Sequence, residues 1–245
     1  MTGLAVDDAA WASAWRRRAP GDKLLLCGGL VVSALVLPAW PGSVLVGVVA
    51  VLLAVGPAQV PARIFFRAAR WPLAFIALGA VTAVVQIGSG GPGWAPDAAA
   101  RAGSLVGHAL AGSAAVLLLA TTTPMSDLLP ALRRARVPDA VVDVASVVYR
   151  LLFVLLGSLH TIREAQAARM GYSSVRRSYR SSGALAAAVL TRSWDRARRM
   201  QEGLAGRGME TGLRVLPEVL PSSRVFLSCS LTGLASIAAT SAVMA

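Results

Sequence analysis

Long apolar segments, separated by loops of alternating charge, are the feature that most constrains this sequence. Five segments approach the ~20 apolar residues that are needed to cross a ~30 Å hydrocarbon core. They are residues 24–40, 43–58, 71–88, 102–123 and 225–245. Only 15% of the residues are charged, against roughly 25% in soluble domains, and a single soluble core would have to hide every one of these segments. The sequence therefore predicts an all-α polytopic membrane protein with about five transmembrane helices.

The charges of the connecting segments predict how the chain is oriented. Basic residues precede the first apolar segment, and arginines separate the second from the third. By contrast, residues 38–42 carry no charge and residues 88–100 carry only Asp97. Lys and Arg are retained on the cytoplasmic side of membrane proteins. The N-terminus is therefore expected inside and the C-terminus outside. The basic residues before the first segment are Arg16, Arg17, Arg18 and Lys23.

The long segment between the fourth and fifth spans is predicted to be cytoplasmic. Residues 124–224 hold sixteen arginines and eight acidic residues. We therefore divide the chain into an N-terminal tail with four spans (1–123), a cytoplasmic segment (124–224) and a C-terminal span (225–245). Residues 144–159 are apolar enough to compete as a further span, but Arg150 lies near their middle, and a crossing there would place the following arginines outside. We expect a helix buried against other helices at the inner membrane face, with Arg150 paired or snorkelling.

Three helices are predicted within residues 124–224. A short helix reaches about Arg136, a long helix runs from Pro138 and Asp139 to about Arg169, and a third covers 184–206, after a polar stretch at 171–183. The third helix is amphipathic at helical spacing. Two interpretations remain open for it, a surface helix with solvated charges and a helix under the membrane that is presented to a partner. Its apolar stripe contains Leu190, Trp194, Ala197 and Leu204.

Two helix ends carry the same short pattern. Ala168-Arg169-Met170-Gly171 closes the long helix, and Gly206-Arg207-Gly208 closes the amphipathic one. Glycine suits a left-handed helix cap, and an arginine there complements the helix dipole. On spacing alone, a purely structural role is therefore the favoured explanation of the pattern.

The sequence gives little evidence for metal binding, nucleotide binding or catalysis by this chain. His108 and His160 are isolated, and Cys27 and Cys229 lie at opposite ends of the chain inside apolar runs. A transition-metal site needs several converging ligands, so these four residues are not expected to form one. We find no phosphate-binding Gly-x-x-x-x-Gly-Lys loop and no set of catalytic side chains, so this chain is not expected to be an enzyme. The net charge of +12 is interrupted by apolar runs, which argues against nucleic-acid binding.

The sequence resembles the transmembrane T component of energy-coupling factor (ECF) transporters, in its cobalt-type CbiQ branch. The resemblance covers nearly the whole chain, from Asp7-Asp8 and Trp15 near the start to the second arginine motif. Its most specific residues are Ala120-Thr121-Thr122-Thr123-Pro124, Asp127-Leu128-Leu129, Ala131-Leu132-Arg133, Val137-Pro138, Tyr149-Arg150, Ala165-Gln166-Ala167-Ala168-Arg169 and Gly206-Arg207-Gly208.

The resemblance implies a non-catalytic coupling subunit of an ATP-driven uptake transporter in the bacterial inner membrane. Its implied partners are two ATP-binding-cassette ATPases, which would hold ATP and Mg, and a substrate-binding membrane S component for cobalt or nickel, in the service of cobalamin biosynthesis. Arg169 and Arg207 would each dock on one ATPase and transmit its motion. The implied coupling residues are Ala168, Arg169, Met170, Gly206, Arg207 and Gly208.

Two positions depart from the family pattern. Met170 stands where the family usually has Gly, which leaves Gly171 as the expected cap, and Gly206 stands where Ala is usual. The alternatives to a cobalt-type T component are a vitamin-type T component, a membrane-embedded enzyme and a self-contained permease. The last two would need polar groups at membrane depth, and the predicted spans offer few.

Overall fold

Helices form almost all of the computed structural model, which describes residues 5–88, 91–94, 98–206, 208 and 222–244. The helices are α1 Ala5–Ala12, α2 Pro20–Val36, α3 Val44–Val55, α4 Ala62–Val84, α5 Ala98–Thr122, α6 Met125–Arg134, α7 Asp139–Ala168, α8 Val175–Ala205 and α9 Arg224–Met244. The segment Ala39–Ser43, in which Trp40 has extended backbone angles, joins α2 to α3. Strands β1 (Val85–Gly88) and β2 (Gly91–Trp94) pair antiparallel between α4 and α5.

The helices belong to two compact units. The first, here called the bundle, contains α1 to α5 together with α9. The second, here called the arm, contains α7, α8 and the C-terminal half of α6. The arm is thus inserted in sequence between the fifth and last helices of the bundle.

Helix α5 is the centre of the bundle, where it packs on α2, α3 and α4. Small residues allow these close approaches, because a Cβ added at Gly47 of α3 would lie 3.6 Å from the Cα of Ala111 on α5. Ala111 and Ala115 are buried. Tight helix pairs with small interfacial residues are typical of membrane bundles.

Polar contacts hold together the end of the bundle where α2 and α9 begin and α5 ends. Lys23 is fully buried, and its Nζ donates to the carbonyl oxygen of Thr122 at 2.9 Å. A cation at that place satisfies a carbonyl that the end of α5 leaves free. Asp22 accepts hydrogen bonds from Ser222 Oγ and from Ser223 N, both at 3.0 Å, and so holds the start of α9 against the start of α2.

The predicted spans are only partly reproduced. In the part of the chain that the structure describes, four helices are long and apolar enough to cross a membrane, and Ala39–Val55 is a shorter apolar helical segment. The all-α polytopic class is therefore confirmed. The helix of the third span begins at Ala62 instead of 71, so Arg63, Arg67 and Arg70 are helical, not part of a loop. The four qualifying helices are α4, α5, α7 and α9.

Helix α7 differs from its prediction in how little of it is buried. Residues 144–159 include no buried side chain, and Arg150 is exposed, so the expectation of a helix buried against others is wrong within this chain. The reason is that hydropathy reports an apolar surface without saying what covers it. Length and hydropathy admit α7 as a span, and its cytoplasmic or interfacial location stays a prediction.

Helix α8 starts earlier than the sequence suggested. The polar stretch 171–183 was expected to be non-helical, yet α8 begins at Val175. Ser174 is its N-cap, and its Oγ accepts a hydrogen bond from the amide of Arg177 at 3.4 Å. This cap explains the early start, because Ser at an N-cap satisfies an amide that the first turn leaves free.

Candidate functional site

The C-terminus of α7 ends in a Schellman motif built around Arg169. The amide of Met170 donates to Ala167 O at 3.0 Å, and the amide of Gly171 donates to Gln166 O at 2.9 Å. Met170 adopts the left-handed conformation with φ 57°, the place that such a motif usually gives to Gly. The prediction that Gly171 would take the left-handed position is therefore wrong, since Met170 occupies it.

Gly171 has a different role, which the structure makes plain. A Cβ built on Gly171 would lie 2.7 Å from Ser181 Oγ and 2.8 Å from Gln166 O. These distances are shorter than real Cβ contacts, and one of the two atoms belongs to the backbone. Gly171 is thus required by the close approach of α7 and α8, not by its own φ angle.

Arg169 itself is the C-cap of α7 and is exposed. None of the ion pairs among the described residues involves it. Its neighbour Met170 is also exposed, at 65% of its surface. The guanidinium is therefore placed at the tip of a helix about 45 Å long, where a carboxylate or carbonyl on another molecule can meet it.

A group of hydrogen bonds closes the corner between α7 and α8. Gln166 Nε2 donates to Ser181 O at 3.1 Å, and Tyr172 OH donates to Gln166 Oε1 at 2.7 Å. Ser181 Oγ donates to Gly171 O at 2.9 Å. The Arg163 guanidinium lies 6.0 Å from the centre of the Tyr172 ring. Gln166 was quoted above for the family resemblance, but these contacts were not predicted, because hydrogen-bond partners 15 positions apart leave no periodic signal.

The end of α8 repeats the backbone pattern of the end of α7. The amide of Gly208 donates to Ala205 O at 3.0 Å, as the amide of Met170 does to Ala167 O. Gly208 is left-handed with φ 65°, and Gly206 is the right-handed C-cap of α8. Arg207 lies outside the described residues. In sequence it precedes the left-handed residue directly, as Arg169 does.

An ion pair joins the helices that lead into the arm. Arg133 of α6 pairs with Asp143 of α7, and its Nε lies 3.7 Å from an Asp139 carboxylate oxygen. Asp143 is only 18% exposed, so the pair is shielded from water. Arg133 was quoted above only as part of the family resemblance, and its ion pair with Asp143 was not predicted.

The histidines behave as the sequence suggested where the structure describes them. His108 Nδ1 lies 2.7 Å from Ala34 O and 2.8 Å from Ser43 Oγ, a structural set of partners inside the bundle. His160 is exposed on α7. Among the described residues, no three His, Cys, Asp or Glu side chains come together as a metal site. The expectation that another subunit binds the metal remains a prediction.

These features define a class of protein: a polytopic helical membrane protein in which two long helices each end beside an arginine. The chain belongs to the CbiQ family, because the sequence profile of that family, described as cobalt transport protein, matches residues 12–217. The family assignment from sequence is therefore confirmed.

Curated relatives agree with this assignment. The chain is 38% identical to the cobalt transport protein CbiQ of Rhodobacter capsulatus over 239 residues, which cover 98% of both chains. It is 30% identical to the CbiQ protein of Salmonella typhimurium over 78% of this chain and 90% of that one. A putative fused cobalt transport protein CbiMQ of Methanocorpusculum labreanum is 27% identical over 87% of this chain and 37% of its own length. The chain is thus a multi-pass membrane component of cobalt transport.

Proposed function

We propose that this chain is the coupling subunit of an ATP-driven uptake transporter of the ECF type. In this role it binds two ATP-binding-cassette ATPases through Arg169 and Arg207 and passes their motion to a substrate-binding membrane subunit. Cobalt is the proposed cargo, with nickel as the chemically similar alternative. ATP and Mg belong to the ATPases, the chain binds no cofactor of its own, and the complex resides in the bacterial cytoplasmic membrane.

One observation carries the proposal: the arginines of the two helix ends have the same position relative to a left-handed residue. In each, an arginine stands immediately before a left-handed residue whose amide bonds to a carbonyl three residues earlier. A rigid cap limits the directions in which the arginine side chain can leave the helix. Two equivalent arginines suit a motor made of two ATPase subunits, because each guanidinium fork can pair with a carboxylate or carbonyl pocket.

Other observations support the remaining parts. The fused relative named above joins a CbiQ-like part to further sequence in one polypeptide, which favours a second membrane component as partner. The apolar stripe of α8 lacks cover within the described structure, since Leu190 and Trp194 are 67% and 73% exposed. An exposed apolar stripe of this kind marks a contact with protein or membrane.

Transport measurements on arginine variants test the proposal. Arg169→Ala or Arg207→Ala is expected to lower the uptake of radiolabelled Co²⁺ by at least about fivefold, the scale of a typical coupling energy, and the double variant should abolish it. The reason is that each change removes one ATPase contact without touching the bundle.

Arg192→Ala serves as the matched control, since Arg192 is an exposed arginine within α8, away from both helix ends. Membrane insertion of every variant is checked by fractionation. Normal uptake by a well-inserted double variant would contradict the coupling role.

A further inference from the structure

The corner between α7 and α8 contains partly buried polar side chains in a surface that is otherwise exposed. Gln166, Tyr172 and Ser181 are each half-buried, whereas residues 167–170, 173–177 and 182–184 are exposed. Helix α8 has no buried residue along its length. Apolar packing is therefore too sparse here to fix the angle between the two helices, so the polar contacts determine this angle.

The hydrogen-bond directions at this corner are determined by chemistry. The backbone carbonyl of Ser181 can only accept, so the Gln166 side-chain atom that faces it must be the amide nitrogen. The opposite atom, Oε1, then accepts from Tyr172 OH. Gln166 thus links the turn after α7 to the second turn of α8, and both ends of its amide are satisfied. Neither Glu nor Ala at this position can make both bonds.

We propose that Gln166, Tyr172 and Ser181 form a clamp that positions Arg169 and makes α7 and α8 move as one body. The three side chains are positioning residues, because none of them meets the ATPase in this account. The inference rests on the coupling role proposed above for Arg169.

The backbone around Arg169 explains how the clamp acts on it. The amide of Gly171 is bonded to Gln166 O, and the carbonyl of Gly171 accepts from Ser181 Oγ. The turn that contains Arg169 and Met170 is therefore held at both sides by α7 and α8. A force applied to Arg169 is then transmitted to both helices, whereas an unclamped turn would yield and absorb the displacement.

A chemically reversible clamp tests the inference in the whole transporter. The parent carries Cys27→Ala and Cys229→Ser, so that no native thiol reacts. Gln166→Cys with Ser181→Cys is then added, which removes the Gln166 and Ser181 side-chain bonds and offers two thiols for bis-maleimide linkers of graded length. Uptake of radiolabelled Co²⁺ and co-purification of the ATPase subunits are measured before and after cross-linking.

The clamp predicts a specific combination of results. Without linker, uptake falls about fivefold, a modest coupling loss, while the ATPase subunits co-purify as with the parent, because Arg169 is intact. With the linker of matching length, uptake returns. A simple folding defect would not be repaired by a linker. Unchanged uptake without linker, or uptake that stays low with every linker, would overturn the inference.

Single variants test the clamp without any cross-linker. Tyr172→Phe removes one hydroxyl and is expected to give a smaller loss of uptake, whereas Tyr179→Phe, at an exposed tyrosine of α8, should have no effect. Equal uptake by both phenylalanine variants would count against the clamp.

Arg169→Ala separates failure of the clamp from failure of the coupling role. Loss of uptake in that variant together with full uptake in the clamp variants would reject the clamp alone. Full uptake with Arg169→Ala would reject the coupling role, and the clamp with it.

Discussion

The two arginine-bearing helix ends of the arm share one backbone pattern but stabilise it in different ways. At the end of α7 the left-handed residue is Met170, a poor residue for that conformation, and the following turn is hydrogen-bonded to α8. At the end of α8 the left-handed residue is Gly208, and a Cβ added there would meet no atom within 4 Å. Tertiary contacts therefore enforce the first cap, whereas the intrinsic freedom of glycine allows the second.

The largest expected effect is the destabilisation caused by alanine at Gly171, the glycine that follows the left-handed residue of the α7 cap. Gly171→Ala should weaken the α7–α8 corner by about 2 kcal/mol, because the new Cβ would overlap Ser181 Oγ and the backbone oxygen of Gln166. Hydrogen exchange at the amides of Met170 and Gly171 measures this as lost protection.

Gly206→Ala is the matched change at the other end of the arm. Its Cβ would lie 3.4 Å from Glu202 O, an ordinary contact, and Gly206 has right-handed angles. We expect unchanged or slightly stronger protection at Gly208. If both alanine variants behaved alike, the two ends would not differ as described.

A second, smaller effect is expected at Gly208 itself. Gly208→Ala should cost about 1 kcal/mol, because an alanine pays for the left-handed conformation even where space is open. The readout is faster exchange at the amide of residue 208 with unchanged exchange at Met170. An unaffected amide at 208 would show that tertiary contacts, not glycine, hold this cap.

The smallest expected effect is the reverse change at the other cap. Met170→Gly should stabilise the corner by less than about 1 kcal/mol, since it relieves the left-handed strain but adds freedom to the unfolded chain. Slower exchange at Gly171 would confirm this. A destabilised corner would mean that the exposed Met170 side chain has contacts that outweigh the strain.

The sequence predicted well what depends on local composition. The helical class, the end of α7 at Arg169 and the glycine-rich end of α8 follow from apolar runs and from capping residues. The segment 171–183 was misread because Ser, Arg and Tyr resemble a loop by composition, although Ser174 is a good N-cap. Similarly, the third span was started at Trp71 because Arg63, Arg67 and Arg70 look like a loop, yet α4 begins at Ala62.

Contacts between distant residues were beyond the sequence. Lys23 looks like one more basic residue of a cytoplasmic tail, yet it is fully buried against the end of α5. The contacts of the clamp residues were likewise not predicted, because the geometry of the turn determines their partners. Burial of α7 was also misjudged, since an apolar composition does not say whether the cover comes from the same chain.

The attachment of α9 to α2 has a consequence for biosynthesis. Phe226 of α9 packs edge-on against Trp15, with ring centres 5.2 Å apart, and Asp22 holds the two residues before α9. Roughly 100 residues separate the end of α5 from the start of α9, so at ~5–20 residues per second the ribosome needs roughly 5–20 s to deliver it. During that interval the face of α2 on which α9 packs is uncovered by α9, and a chaperone or insertase has time to occupy it.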